Sequence, residues 1–115
     1  MYYKTNGIEV DFNENIDLRL RAVLLELEWW MEKQKLRLIL TSLCRSPKEN
    51  QLVGGDNNSA HLTGQAADIR TREFHSYDIR GIVNRLSSYP FLYCAFHKNH
   101  IHVSIRKVYR NPRII

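Results

Sequence analysis

Ile16, Leu20, Val23, Leu24, Leu27 and Met31 recur at three- and four-residue spacing. That is the period of one helical face, so an amphipathic helix is expected from about Ile16 to Lys33. Asn13 or Asn15 stands where its N-cap should be. Trp29 and Trp30 fall near its end, and Trp30 is assigned to the core. The period then changes from helical to alternating. Leu36, Leu38 and Leu40 take one face of a strand, and Ile39, Thr41 and Leu43 the other. Apolar residues on both faces suit a central, buried strand. Arg45 to Ala60 is rich in Pro, Gly, Asn, Asp and Ser and reads as a loop. Ala66 to Arg70 reads as a short strand. Ser76 looks like the cap of a second helix running to about Leu86, with Ile79, Ile82, Val83 and Leu86 on one face. Phe91 to Phe96 and Ile101 to Ile105 form a closing hairpin around Lys98 and Asn99.

The expected order is helix, strand, loop, strand, helix, hairpin. It implies an α+β fold, a small antiparallel sheet packed against helices. The 115 residues suit one domain spanning 1–115. No repeat or long linker divides them. A chain of this size buries a core without disulfide staples. Cys44 and Cys94 belong to no C-x-x-C pair and read by default as buried free thiols, with a disulfide between them left open. No stretch is long and apolar enough for a membrane span, and Met1 to Gly7 has no signal-peptide core. The protein is expected in the cytoplasm as synthesised, unless lysis or another system releases it.

The net charge is +5. It favours anionic partners such as nucleic acid, a membrane surface or a cell-wall polymer, and it serves plain solubility equally well. No RNP-type aromatic motif or zinc-finger spacing accompanies the basic residues, so nothing beyond charge points to nucleic acid. The oligomeric state is not legible.

Candidate chemistry lies in the histidines. His97, His100 and His102 fall within six residues, while His61 and His75 stand apart. Alternation in His100-Ile101-His102-Val103-Ser104 puts both strand histidines on one face. One of the two would suffice as a ligand. His75 reads as a surface residue. Upstream, His61 and Asp68 bracket Gly64, which permits a tight turn between them. Asp68 lies between Ala67 and Ile69, where an unpaired buried carboxylate is costly. Metal ligation would relieve that cost; a salt bridge to Arg45, Arg70 or Arg72 would do so equally.

The segment Thr41 to Ile69 reads TSLCRSPKENQLVGGDNNSAHLTGQAADI. It resembles the zinc D-Ala-D-Ala peptidases of family M15, with their T-S-x-x-R-x-P-x-x-N, V-G-G and S-x-H-x-x-G-x-A-x-D pattern. The closing HIHVSI is similar to the family strand that carries the last zinc histidine. The Hedgehog signalling domain shares this fold. Leu43-Cys44 departs from the family's frequent Gly-Tyr. The resemblance implies zinc as cofactor and His61, Asp68 and His102 as its ligands. It makes Arg45 and Ser59 substrate-binding residues, with an ion pair and a turn residue as their structural readings. It implies hydrolysis of peptide bonds in bacterial peptidoglycan stem peptides, by a carboxypeptidase or a phage-lysin type of endopeptidase.

Three protein ligands and an open position suit catalytic zinc. The family's general-base carboxylate, three residues before the last zinc histidine, is here Asn99. An amide cannot accept the proton, so His97 or His100 takes the catalytic base role, or a carboxylate arrives from elsewhere. The alternative is a catalytically weak or inactive zinc-stabilised binding module of the same fold.

Overall fold

The computed structural model describes residues 2–5, 8–11, 16–43, 51–52, 54 and 64–110. Its elements are β1 (Tyr2–Thr5), β2 (Ile8–Asp11), α1 (Leu18–Lys33), β3 (Ile39–Ser42), β4 (Ala66–Arg70), α2 (Ser76–Ser87), β5 (Leu92–His97), β6 (His100–Ile105) and a last turn of helix, α3 (Lys107–Arg110). The six strands form one sheet in the order β2-β1-β3-β4-β6-β5. The α+β expectation holds, with one refinement. β1 runs parallel to β3, and every other pairing is antiparallel. The β1–β2 hairpin was not foreseen, because each of its strands is only four residues long and the alternation in Ile8-Glu9-Val10-Asp11 is too brief to stand out.

The expected helix and strand positions are otherwise close to those observed. β3 is shorter than Leu36 to Leu43, and it occupies an interior position of the sheet as its two apolar faces required. The cap of α1 is Asp17 rather than Asn13 or Asn15. Its carboxylate accepts from the backbone N–H of Arg19 at 2.9 Å. The cap of α2 is His75 rather than Ser76. Asp78 reaches back to accept from the His75 N–H at 3.0 Å, and it places a negative charge in the first turn.

One hydrophobic cluster joins the helices to one sheet face. α1 contributes Leu20, Val23, Leu24, Leu27 and Met31, and α2 contributes Ile82 and Leu86. The sheet contributes Leu38, Leu40, Ala67, Ile69, Leu92, Ile101, Val103 and Ile105. Trp30 packs against the edge of this cluster, and its ring meets α2 where Gly81 leaves no side chain, 3.4 Å from the position of an added Cβ. Trp29 is exposed. Cys94 is a free thiol, and burial pushes it up to about 11. Cys44 lies outside the described residues. No helix among the described residues is long and apolar enough to cross a membrane.

Candidate active site

With Ala67, Ile69, Ile101 and Val103 facing the core, period-two alternation turns Asp68, His100 and His102 to the opposite face of the sheet. Register then sets the neighbours. Asp68 pairs with His102, Arg70 with His100, Ala95 with His102, and His97 with His100. Ala66 and Ala95 place small side chains on this face beside Asp68 and His102.

β3 joins the same surface through a bulge. Leu40 pairs with Ile69, but Ser42 pairs with Asp68, so Thr41 is an extra residue on β3. The insertion reverses the alternation. Leu38, Leu40 and Leu43 thereby all reach the core, while Ser42 is delivered to the face of Asp68. The Thr41 hydroxyl lies 3.4 Å from the Asp68 carbonyl oxygen.

Two donors converge on this face. His102 Nδ1 is 3.0 Å from Asp68 Oδ1. Ligands of a tetrahedral zinc with bonds of about 2.0–2.2 Å sit roughly 3.3–3.6 Å apart, so two donors sharing a cation would need to part by only a few tenths of an ångström. The separation as it stands suits a hydrogen bond when Nδ1 carries the proton. Asp68 is only 8% exposed, a burial that calls for a counter-charge. Arg70 and Arg72, two of the three expected salt-bridge partners, are engaged by Glu73 instead: Arg70 Nη2 lies 2.7 Å and Arg72 Nε 3.3 Å from Glu73 Oε2.

His100 stands beside this pair. Its Nε2 is 4.0 Å from Asp68 Oδ1, and its Nδ1 is 3.4 Å from the Asn99 amide oxygen. His97 is one step farther out, with its ring 5.6 Å from that of His100. His75 is distant in role: it is exposed, stacks on Tyr77 and caps α2. His61, Arg45 and Ser59 lie outside the described residues. Among the described residues, no three His, Cys, Asp or Glu side chains form a metal-binding group.

Tyr93 belongs to this surface and was not singled out from the sequence. Its ring is 6.2 Å from that of His102 and tilted by 57°. The alternation Tyr93, Ala95, His97 on β5 was the available signal, hidden because Phe91 to Phe96 reads as one apolar run. Farther along, a groove of about 290 Å³ opens among Lys35, Arg37, Ile39, Arg70 and Phe74.

The turn that leads into β4 is held from three sides. Gly64 has a φ of 70°, which suits glycine, and its carbonyl accepts from Asp17 N at 2.9 Å. The Gln65 amide donates to Asp17 Oδ2 at 3.2 Å, and the Gln65 carbonyl accepts from Ile105 N at 2.9 Å. At the other end of β4, Thr71 N donates to the Asn99 carbonyl at 3.2 Å, which ties the histidine hairpin down.

A sequence-family model described as Peptidase M15 matches residues 3–104. No curated protein matches the chain significantly.

Proposed function

The chain is a member of the M15 family of peptidases, and from that premise we propose that it is a zinc-dependent hydrolase of peptide bonds in bacterial peptidoglycan stem peptides. The observation that supports this most directly is the meeting of Asp68 Oδ1 and His102 Nδ1 at 3.0 Å on the sheet face opposite the helices, from strands far apart in sequence. A buried carboxylate and an imidazole are donors zinc accepts. In this reading Asp68 and His102 hold the ion together with His61. Bound zinc would polarise the scissile carbonyl and acidify a water molecule.

The protein's own groups supply the rest. The Arg45 guanidinium takes a substrate carboxylate through two parallel hydrogen bonds, and Ser59 contacts the peptide beside the metal. Proton handling falls to His100. Among the described residues it stands beside the Asp68–His102 pair, 4.0 Å from Asp68 Oδ1, and Asn99, where relatives place a carboxylate, cannot accept a proton. His97 backs His100 from the outside. The basic charge of the chain draws it to an anionic wall.

The test is digestion of purified muropeptides read by mass, with and without chelator. Cleavage that chelator abolishes and zinc restores is the expected result. His102→Ala and Asp68→Ala should each lower kcat/KM by at least about 1,000-fold, and His100→Ala by roughly 100-fold, the usual scale of a general base. His97→Ala should cost less. Equal rates for wild type and His100→Ala would reject the proton-handling role.

Asn99 favours a second reading, a zinc-stabilised binding module without catalysis. Zinc uptake and muropeptide binding without cleavage would establish it. In that case Asn99→Asp restores no activity unless the amide alone is the defect.

A further inference from the structure

α1 carries two apolar stripes. Leu20, Val23, Leu24, Leu27 and Met31 are buried in the core. Leu18, Ala22, Leu25 and Trp29, at spacings of four, three and four, form a second line, and all four are exposed. Leu18 is 76%, Leu25 46% and Trp29 57% exposed. At about 100° per residue the second stripe lies diametrically across the helix from the first. It points straight away from the sheet, on the side of the molecule opposite Asp68 and His102. A continuous apolar line of this kind marks an interaction surface more than scattered single residues do.

The charges beside the stripe identify the occupant. Arg21 and Glu28 flank it on one side, and Arg19 and Glu26 on the other. We propose that this face pairs with α1 of a second copy of the chain, antiparallel and about a twofold axis. In the register that sets Leu18 against Trp29 of the second copy and Ala22 against its Leu25, each flank meets the same flank of the other helix in reverse. Arg21 then lies alongside Glu28 of the second copy, and Glu26 alongside its Arg19, with an axial offset of about 3 Å. All four contacts join opposite charges. A parallel pairing of the same stripes brings opposite flanks together at equal height. It would set Arg19 beside Arg21 and Glu26 beside Glu28, four like-charge contacts, against two opposite-charge ones between Glu32 and Lys33 at the helix end.

The charge pattern therefore selects one orientation, and the apolar stripe supplies the attraction. Arg19 and Glu26 also serve their own chain, through Asp17 and Tyr89, and Arg21 and Glu28 are likewise engaged within it. The flanks thus set orientation more than affinity. A contact of two helices lies at the small end of specific interfaces, so the dimer is reversible, with a Kd on the order of 10–100 µM. Both Asp68–His102 faces remain turned outward. Such a dimer would present two sites to a polymeric substrate and gain from avidity.

Sedimentation of the full chain from about 5 to 500 µM tests this. The wild type should shift from monomer to dimer across that range. Leu25→Lys and Trp29→Gln, both at exposed positions, should stay monomeric with unchanged circular dichroism. Arg21→Glu should weaken the dimer by roughly fivefold, and Arg21→Glu with Glu28→Arg should restore it. A wild type that remains monomeric throughout overturns the proposal, as does a dimer that survives Leu25→Lys and Trp29→Gln. Tighter pairing in Arg21→Glu would indicate the parallel arrangement and overturn the register.

Discussion

Burial alone would raise the Asp17 carboxyl, but hydrogen bonds from the Arg19 side chain, the Gln65 amide and the Arg19 backbone hold it down to about 2. Arg19 in turn donates to the Tyr109 carbonyl at 2.9 Å, so one carboxylate joins the start of α1, the turn before β4 and the C-terminal helix. Its folded-state value lies below the ordinary 3.8. The stability it contributes is therefore complete above about pH 4 and is lost as pH falls from there towards 2. After solvent screening this amounts to roughly 1 kcal/mol. Urea melts between pH 2 and 6 should show the decline in wild type and a flatter profile in Asp17→Ala. That variant should also lose about 1–2 kcal/mol at neutral pH with its cap. Asp17 escaped the sequence reading because Asn13 and Asn15 are equally good caps. Only the contact with Gly64 and Gln65, distant in the chain, decides among them.

Among the elements, α1 ends in a complete Schellman motif: Leu36 N donates to the Met31 carbonyl and Lys35 N to that of Glu32. The left-handed position is Lys35, with a φ of 63° where glycine is preferred. Lys35→Gly should therefore raise stability by about 0.5–1 kcal/mol in thermal or urea melts, and a loss would show that the lysine side chain offsets its strain. The long helix and the strands carrying Asp68 and His102 were legible, since their apolar periods are unmistakable. The bulge in β3 was not. Leu38, Leu40 and Leu43 break strict alternation, and no local rule says whether the extra residue is Thr41 or lies outside the strand. Deleting Thr41 would restore regular pairing, send Leu43 to the face away from the helices and withdraw Ser42 from Asp68. The expected cost exceeds 2 kcal/mol, the scale of removing a buried leucine from a core.

For the whole molecule, both helices of the core lie on one face of the sheet, and the candidate chemistry lies on the other. The histidine alternation and the resemblance together pointed to that surface. Tyr93 was hidden by an apolar run, and the β1–β2 hairpin by the shortness of its strands, of which β1 also pairs with β3. If His61, Asp68 and His102 hold zinc in the folded state alone, metal must stabilise the whole fold. Zinc at a hundredfold excess over its Kd should add about 2.7 kcal/mol and raise the Tm by several degrees. The rise should vanish in His102→Ala. An equal rise in that variant would place the bound metal elsewhere.

The parallel pairing of β1 with β3 has a consequence for assembly. A ribbon that precedes α1 in the chain must wait for all of α1 to emerge before the strand it docks against exists. Once made, β3 presents a bare row of amide and carbonyl groups along one side until β1 docks on it, an invitation to neighbouring chains. Removing residues 1–11 would make that transient vulnerability permanent, and such a chain should precipitate on refolding where the intact one stays in solution.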